Sequence, residues 1–117
     1  MRNFLIKSKT IDNVGVLYPA GHLDAHSVER FESELVKMLD ESIVKIVVNC
    51  DELNYISSAG MGIIMGYLDE IREKGGDIKL SNVMDRVYEI FDLVGFTEIY
   101  DFVEDEQKAI NKFNNVS

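Results

Sequence analysis

Ile43-Val44-Lys45-Ile46-Val47-Val48 is the stretch on which the fold turns: apart from Lys45 it is an unbroken run of β-branched residues. A strand with one wet face alternates apolar and polar residues. A nearly continuous apolar run instead has both faces dry, the pattern of a central strand in a parallel sheet covered by other layers. Parallel neighbours need crossovers, and helical periodicity stands on both sides of the run. Upstream, Val28, Phe31, Leu35 and Met38 fall three or four apart with charges between them, which predicts an amphipathic helix. Ser27 is its candidate cap, with Glu29 near the positive end of the dipole. Downstream, past a loop from Asn49 to Tyr55, Met61, Ile64, Met65, Leu68 and Ile71 form one stripe that Gly75 and Gly76 stop.

Working outward, Phe4 and Ile6, then Val14, Val16 and Tyr18, alternate as two strands around a polar turn at Asp12 and Asn13, so a hairpin opens the chain. Ile78 and Leu80 predict a short strand. Val83, Val87, Phe91 and Val94 predict a third helix ending at Gly95, with a last strand at Thr97 to Tyr100. Ala109, Ile110 and Phe113 predict a closing helix. No repeat or linker interrupts this order. The expected fold is therefore α/β, one domain over residues 1–117, with a mixed β-sheet, an N-terminal hairpin and about four helices packed mainly on one side.

The bulk composition narrows the function. A chain of 117 residues has the size of one compact domain and buries enough surface to fold without disulfides or metal. Cys50 is the only cysteine, and its place after the apolar run reads as a core thiol in a reducing compartment. Met1 to Thr10 contain no apolar core of signal-peptide length, and the uncharged stretch from Leu53 to Leu68 is shorter than the ~20 residues a bilayer crossing needs. A cytoplasmic protein is expected. The formal charge of −9 disfavours direct contact with nucleic acid or an anionic membrane, both of which require clustered Lys and Arg.

The segment Asp51-Glu52-Leu53-Asn54-Tyr55-Ile56-Ser57-Ser58-Ala59-Gly60-Met61-Gly62 carries the chemistry worth weighing. It places Ser57 and Ser58 at a helix amino terminus, where unpaired N–H groups and the dipole favour an anion. A phosphoserine there is tolerated by its own domain, and its added charge of about −1.5 to −2 acts outward on any docked surface. The same hydroxyls also suit a plain helix cap. Gly60, Gly62 and Gly66 allow close approach of the helix to another backbone, and no Gly-Lys-Ser or Gly-Lys-Thr follows them to make a phosphate-binding loop.

Tyr55-Ile56-Ser57-Ser58-Ala59-Gly60-Met61-Gly62 resembles the signature of the STAS domain, of sulphate transporters and anti-sigma factor antagonists, usually apolar-Asp-Ser-Ser/Thr/Ala-Gly-Leu-Gly. Gly21-His22-Leu23-Asp24 resembles that family's Gly-Glu-Leu-Asp, and Val83 to Phe96 its late helix with the following Gly-Leu or Gly-Phe. The resemblance implies a partner switch: an anti-sigma factor antagonist binds an anti-sigma factor serine kinase, releases a sigma factor, and is turned off when that kinase phosphorylates it. A serine phosphatase resets it. It implies no enzymatic activity and no cofactor, the ATP and Mg²⁺ belonging to the kinase. Aligned on Gly60-Met61-Gly62, Ser57 stands where the family usually has Asp, and Ala59 stands where many relatives carry the phosphorylated hydroxyl. Ser58 is then the expected phosphorylation site, with Ser57 second. Asp24, Ser57, Ser58, Ala59, Gly60 and Met61 are the expected partner-binding residues. The alternative is a STAS module that binds a protein or small ligand without being phosphorylated.

Three other readings are weaker. His22, Asp24 and His26 alternate along an extended segment, but without a third imidazole they read as exposed polar residues, and no metal site is expected. Asp51 after a buried strand suggests a receiver domain, yet Leu5-Ile6-Lys7-Ser8 lacks the acidic pair that would hold Mg²⁺. A serine-histidine hydrolase would need His22 or His26 to reach Ser58 as a base.

Overall fold

The structure is a computed structural model that describes residues 4–115. Leu5–Ile11 (β1) and Val14–Leu23 (β2) form the expected antiparallel hairpin, with Ile11 opposite Val14. Its two connecting residues, Asp12 and Asn13, both have positive φ, at 50° and 69°. That is the turn whose twist matches paired strands, and Asp and Asn tolerate it best among residues with a side chain. Val28–Asp40 (α1) follows, then Lys45–Asn49 (β3), Leu53–Ile56 (β4) and Ser58–Glu73 (α2). Asp77–Ser81 (β5), Asp85–Leu93 (α3), Phe96–Ile99 (α4), Asp101–Val103 (β6) and Glu106–Phe113 (α5) complete the described chain.

The sheet runs in the order β1-β2-β3-β5-β6, parallel throughout except for β1. β3 is central, and Ile46, Val47 and Val48 are all buried, as its composition requires. Alternate residues face two different cores. Ile46 and Val48 join Phe31 and Leu35 of α1, Ile64 and Leu68 of α2, and Phe91 of α3. On the opposite face Val47 joins Val14, Val16 and the Ala109 and Ile110 of α5. Among the described residues the helices thus lie mainly on one side, and α5 alone shields part of the other. After α2 the chain turns at Gly75 (φ 86°), and Gly76 is pressed so closely on the Val44 carbonyl that no Cβ fits. The next amide, of Asp77, donates to that same carbonyl at 3.1 Å and sets β5 beside β3.

Four expectations need correction. Leu53 to Tyr55, expected within the loop from Asn49 to Tyr55, belong to β4, which pairs with only the last residues of β2. Its burial is apolar ends around exposed Asn54 and Tyr55, so no clean alternation marks it. The strand expected at Thr97 to Tyr100 is the single-turn helix α4, a fifth helix, and the strand β6 starts only at Asp101. Gly95 in the left-handed region (φ 81°) restarts the chain as a helix, and Phe96 and Tyr100, one helical turn apart, pack with ring centroids 4.9 Å apart. Ser27 does not cap α1 with its side chain. Its hydroxyl donates instead to the His22 carbonyl at 2.7 Å and accepts the Asp24 amide at 3.0 Å. Finally, Met65 and Val94 leave their predicted apolar stripes and are exposed.

Candidate functional site

The site is built where β2 and β4 end side by side. At Gly21 the backbone takes φ 103° and the register of the β2–β4 pair shifts. A residue with a side chain is strained in that region, so the bulge suits glycine. The Gly21 amide donates to the Glu52 carbonyl at 2.9 Å, after which His22 lies opposite Tyr55 and Leu23 opposite Ile56. The ladder continues one step further, with the Ser57 amide donating to the Leu23 carbonyl at 2.9 Å. Asp24 and Ser57 are therefore the residues that leave these two adjacent strands, although more than thirty positions separate them in the sequence.

The first turn of α2 is seated on the end of β2. Gly60 is buried, and a Cβ on it would lie 2.8 Å from the Leu23 carbonyl oxygen and 2.9 Å from both Ile56 Cγ1 and Leu23 Cγ. Gly62 and Gly66 have no such neighbour within 4 Å. Of the three glycines that could serve close approach, only Gly60 does so against the domain itself.

The two serines differ in surroundings. Ser57 occupies the N-cap position in extended backbone, yet its side chain makes no cap hydrogen bond. Its Oγ is buried and has no partner. Ser58, the first residue of α2, is exposed. The first turn of α2 contains no acidic side chain of its own to offset the helix dipole. The observed geometry gives the side-chain capping reading no support at Ser57 and leaves Ser58 facing outward.

Asp24 is half-buried and organises its own turn: its Oδ1 accepts the His26 amide at 2.9 Å, and its carbonyl accepts the amides of Ser27 and Val28. Beside it, His22 packs on the exposed Tyr55 ring with centroids 5.5 Å apart. Among the described residues no group of three His, Cys, Asp or Glu side chains is placed to hold a metal ion. Also among the described residues, no helix is long and apolar enough to cross a membrane.

Ser58 also opens onto a shallow groove of about 230 Å³ whose other walls are Met61, Gly62 and Met65 of α2 with Val94 and Phe96 of the α3–α4 junction. Ala59 and Met61 are half-buried, with Met61 packed against the main core. Gly62, Met65, Val94 and Phe96 are absent from the sequence-based site. Two signals pointed that way: Met61 and Met65 near the loop offer an adaptable docking patch, although their helical spacing favours core packing, and Leu93-Val94 before Gly95 are two adjacent apolar residues that a single buried stripe cannot hold together. On the far face, Tyr18 Oη lies beside Glu106, which accepts the Asn49 amide at 3.0 Å; burial first, then that carboxylate, pushes the phenol well above its usual range.

A mixed sheet covered by α1–α3, with a hydroxyl displayed at the start of the helix that follows β4, defines a small α/β domain. Residues 6–109 match the family model of the STAS domain, and the chain belongs to that family. It is 27% identical over 109 residues, 91% of this chain and 94% of the other, to the anti-sigma-B factor antagonist of Listeria monocytogenes serovar 1/2a. Its fold is similar to the anti-sigma factor antagonist SpoIIAA in its unphosphorylated form, with TM-score 0.81, 22% identity, and coverage of 98% and 99% of the two chains. The Bacillus cell fate determinant SpoIIAA in the phosphorylated form is also similar, with TM-score 0.70, 21% identity, and coverage of 95% and 99%.

Proposed function

We propose that this protein is an anti-sigma factor antagonist, a cytoplasmic binding partner of an anti-sigma factor serine kinase, and that phosphorylation of Ser58 switches the contact off. The observation that carries the reading is the contrast at the start of α2: the Ser58 side chain is exposed beside an apolar groove, while the Ser57 oxygen is buried. A kinase can reach only a hydroxyl that faces solvent. Asp24, Ser57, Ser58, Ala59, Gly60 and Met61 form the contact surface, with Gly60 setting the height of the helix on Leu23.

In the switching step the Ser58 oxygen attacks the γ-phosphorus of ATP, ADP leaves, and the hydroxyl proton passes to a base of the kinase. ATP and Mg²⁺ are bound by the kinase, so the antagonist is substrate and ligand rather than catalyst. Hydrolysis by a serine phosphatase restores the free hydroxyl. The new dianion finds amide donors at the α2 terminus, which keeps the domain folded. The same dianion at the lip of an apolar groove must lose water when a partner covers it, which costs several kcal/mol unless a new cation meets it.

The test is intact-mass analysis after incubation with ATP and each anti-sigma factor kinase of the source organism. The expected result is a gain of one phosphate, retained in Ser57→Ala and lost in Ser58→Ala. Complex formation without any phosphate would replace the switch with constitutive binding. Phosphate retained in Ser58→Ala but lost in Ser57→Ala would move the site.

A further inference from the structure

The groove at Ser58 also carries information about the shape and charge of what docks there. One wall is a helix, with Ser58, Met61, Gly62 and Met65 on successive turns, and the other is the bend between α3 and α4. Met65 is 40% exposed, Val94 53% and its neighbour Leu93 86%, so apolar surface continues beyond the groove. Space above Gly62 and Gly66 is open, and a backbone can come close there. A helical ridge laid along α2 fits such a surface.

The segments that line the groove carry acidic residues and no Lys or Arg. From Leu53 to Ile71, and again from Val87 to Gln107, the sequence contains no Lys or Arg; these stretches carry two and seven acidic residues. Asp69 is one turn beyond Met65, Asp92 is two residues before Val94, and Glu98 is two after Phe96. All three are exposed, and none takes part in an ion pair among the described residues. The nearby cation Arg72 is engaged by Asp77 at 3.0 Å and by the Ile99 carbonyl at 2.7 Å. Arg86 belongs to the opposite end of α3.

We propose that the groove between α2 and the α3–α4 bend receives an amphipathic helix of the partner, whose apolar face fills the groove and whose Lys or Arg flanks meet the Asp69, Asp92 and Glu98 rim. This rests on the reading of the Ser58 face as the docking surface and adds the class of segment that binds it. A cationic flank also separates two ways a phosphate at Ser58 could eject the partner. Repulsion by the partner's flanks cannot do it, because the added charge has the sign those flanks seek. Ejection comes from burying the phosphate at the apolar lip.

The test is NMR titration of the ¹⁵N-labelled full chain with two synthetic amphipathic helices of equal length and identical Leu/Ile faces, one flanked by Lys and one by Glu. The Lys-flanked helix is expected to shift the amides of Met61, Gly62, Met65 and Val94 and to bind at least about tenfold tighter than the other, a difference that shrinks with added salt. Asp69→Asn/Asp92→Asn/Glu98→Gln should remove most of that preference, and Met65→Glu should weaken the Lys-flanked helix. Ser58→Glu should also weaken it despite the extra negative charge. Equal binding of both helices, an unchanged preference in the triple variant, tighter binding by Ser58→Glu, or shifts centred on Tyr18, Asp51 and Glu52 would each overturn the proposal. None of these outcomes depends on whether a kinase phosphorylates Ser58, which the mass measurement decides separately.

Discussion

Replacing Gly60 and Gly66 with alanine, one at a time, should change stability in opposite directions although both glycines lie in α2. In an exposed helix interior, Gly→Ala stabilises by about 1 kcal/mol, because alanine loses less backbone freedom on folding. At Gly66 nothing lies within 4 Å of the new methyl, so most of that gain should appear. At Gly60 the methyl would sit 2.8 Å from the Leu23 carbonyl oxygen and 2.9 Å from Ile56 and Leu23 side-chain carbons. Unstrained carbon contacts are nearer 3.5–4.0 Å, so the first turn of α2 must rise by roughly 0.7 Å. Overpacking of this kind costs about 1–3 kcal/mol. The carbonyl that is pushed is the acceptor of the Ser57 amide, a bond of 2.9 Å whose loss adds about 1 kcal/mol. Gly60 lies in the first helical turn, where the propensity gain is smaller, so a net loss of about 2 kcal/mol is expected. Urea unfolding with constant m-value should show Gly66→Ala moving to higher and Gly60→Ala to lower midpoint, a separation of about 3 kcal/mol. Because the rise also displaces Ser58 relative to Asp24, Gly60→Ala should slow phosphorylation as well. Equal shifts in the two variants would refute the seating of α2 on the end of β2.

Two further tests address the remainder of the fold. Asp101 accepts Lys79 Nζ at 3.0 Å and Lys112 Nζ at 2.7 Å. Burial raises its carboxyl, but these two ammonium groups outweigh burial and hold it below the ordinary carboxylate value. A value depressed by folding gives stability that is complete above the unfolded value of about 4 and is lost as pH falls through the lower folded value. The urea midpoint should therefore drop in acid, and Asp101→Asn should flatten part of that drop while costing about 1 kcal/mol at neutral pH; a profile parallel to the wild type would count against the ion-pair account. Cys50 is fully buried, which pushes its thiol up to about 12. Alkylation at about pH 8 should be negligible in the native protein and rapid in denaturant, and fast native labelling would show the β3 end to be open.

The sequence alone determined the central strand, the opening hairpin, α1 to α3 and α5, because each is written in a local period: a run buried on two faces, an Asp-Asn turn, or residues three and four apart. It also singled out the Ser57-Ser58 segment, since a helix terminus and its hydroxyls are neighbours in the chain. Elements whose stability comes from remote partners were not legible. β4 exists because Gly21 bulges β2 toward it, and α4 exists because Phe96 and Tyr100 pack together beyond a left-handed Gly95. Which serine faces water was likewise decided by tertiary contact. The Ser57 amide extends the ladder to Leu23 while its hydroxyl is covered, and Ser58, one residue on, is turned out beside Val94 and Phe96 from a distant part of the chain. Periodicity records which face of an element is dry; only the packed chain fixes which residues from different elements share one surface.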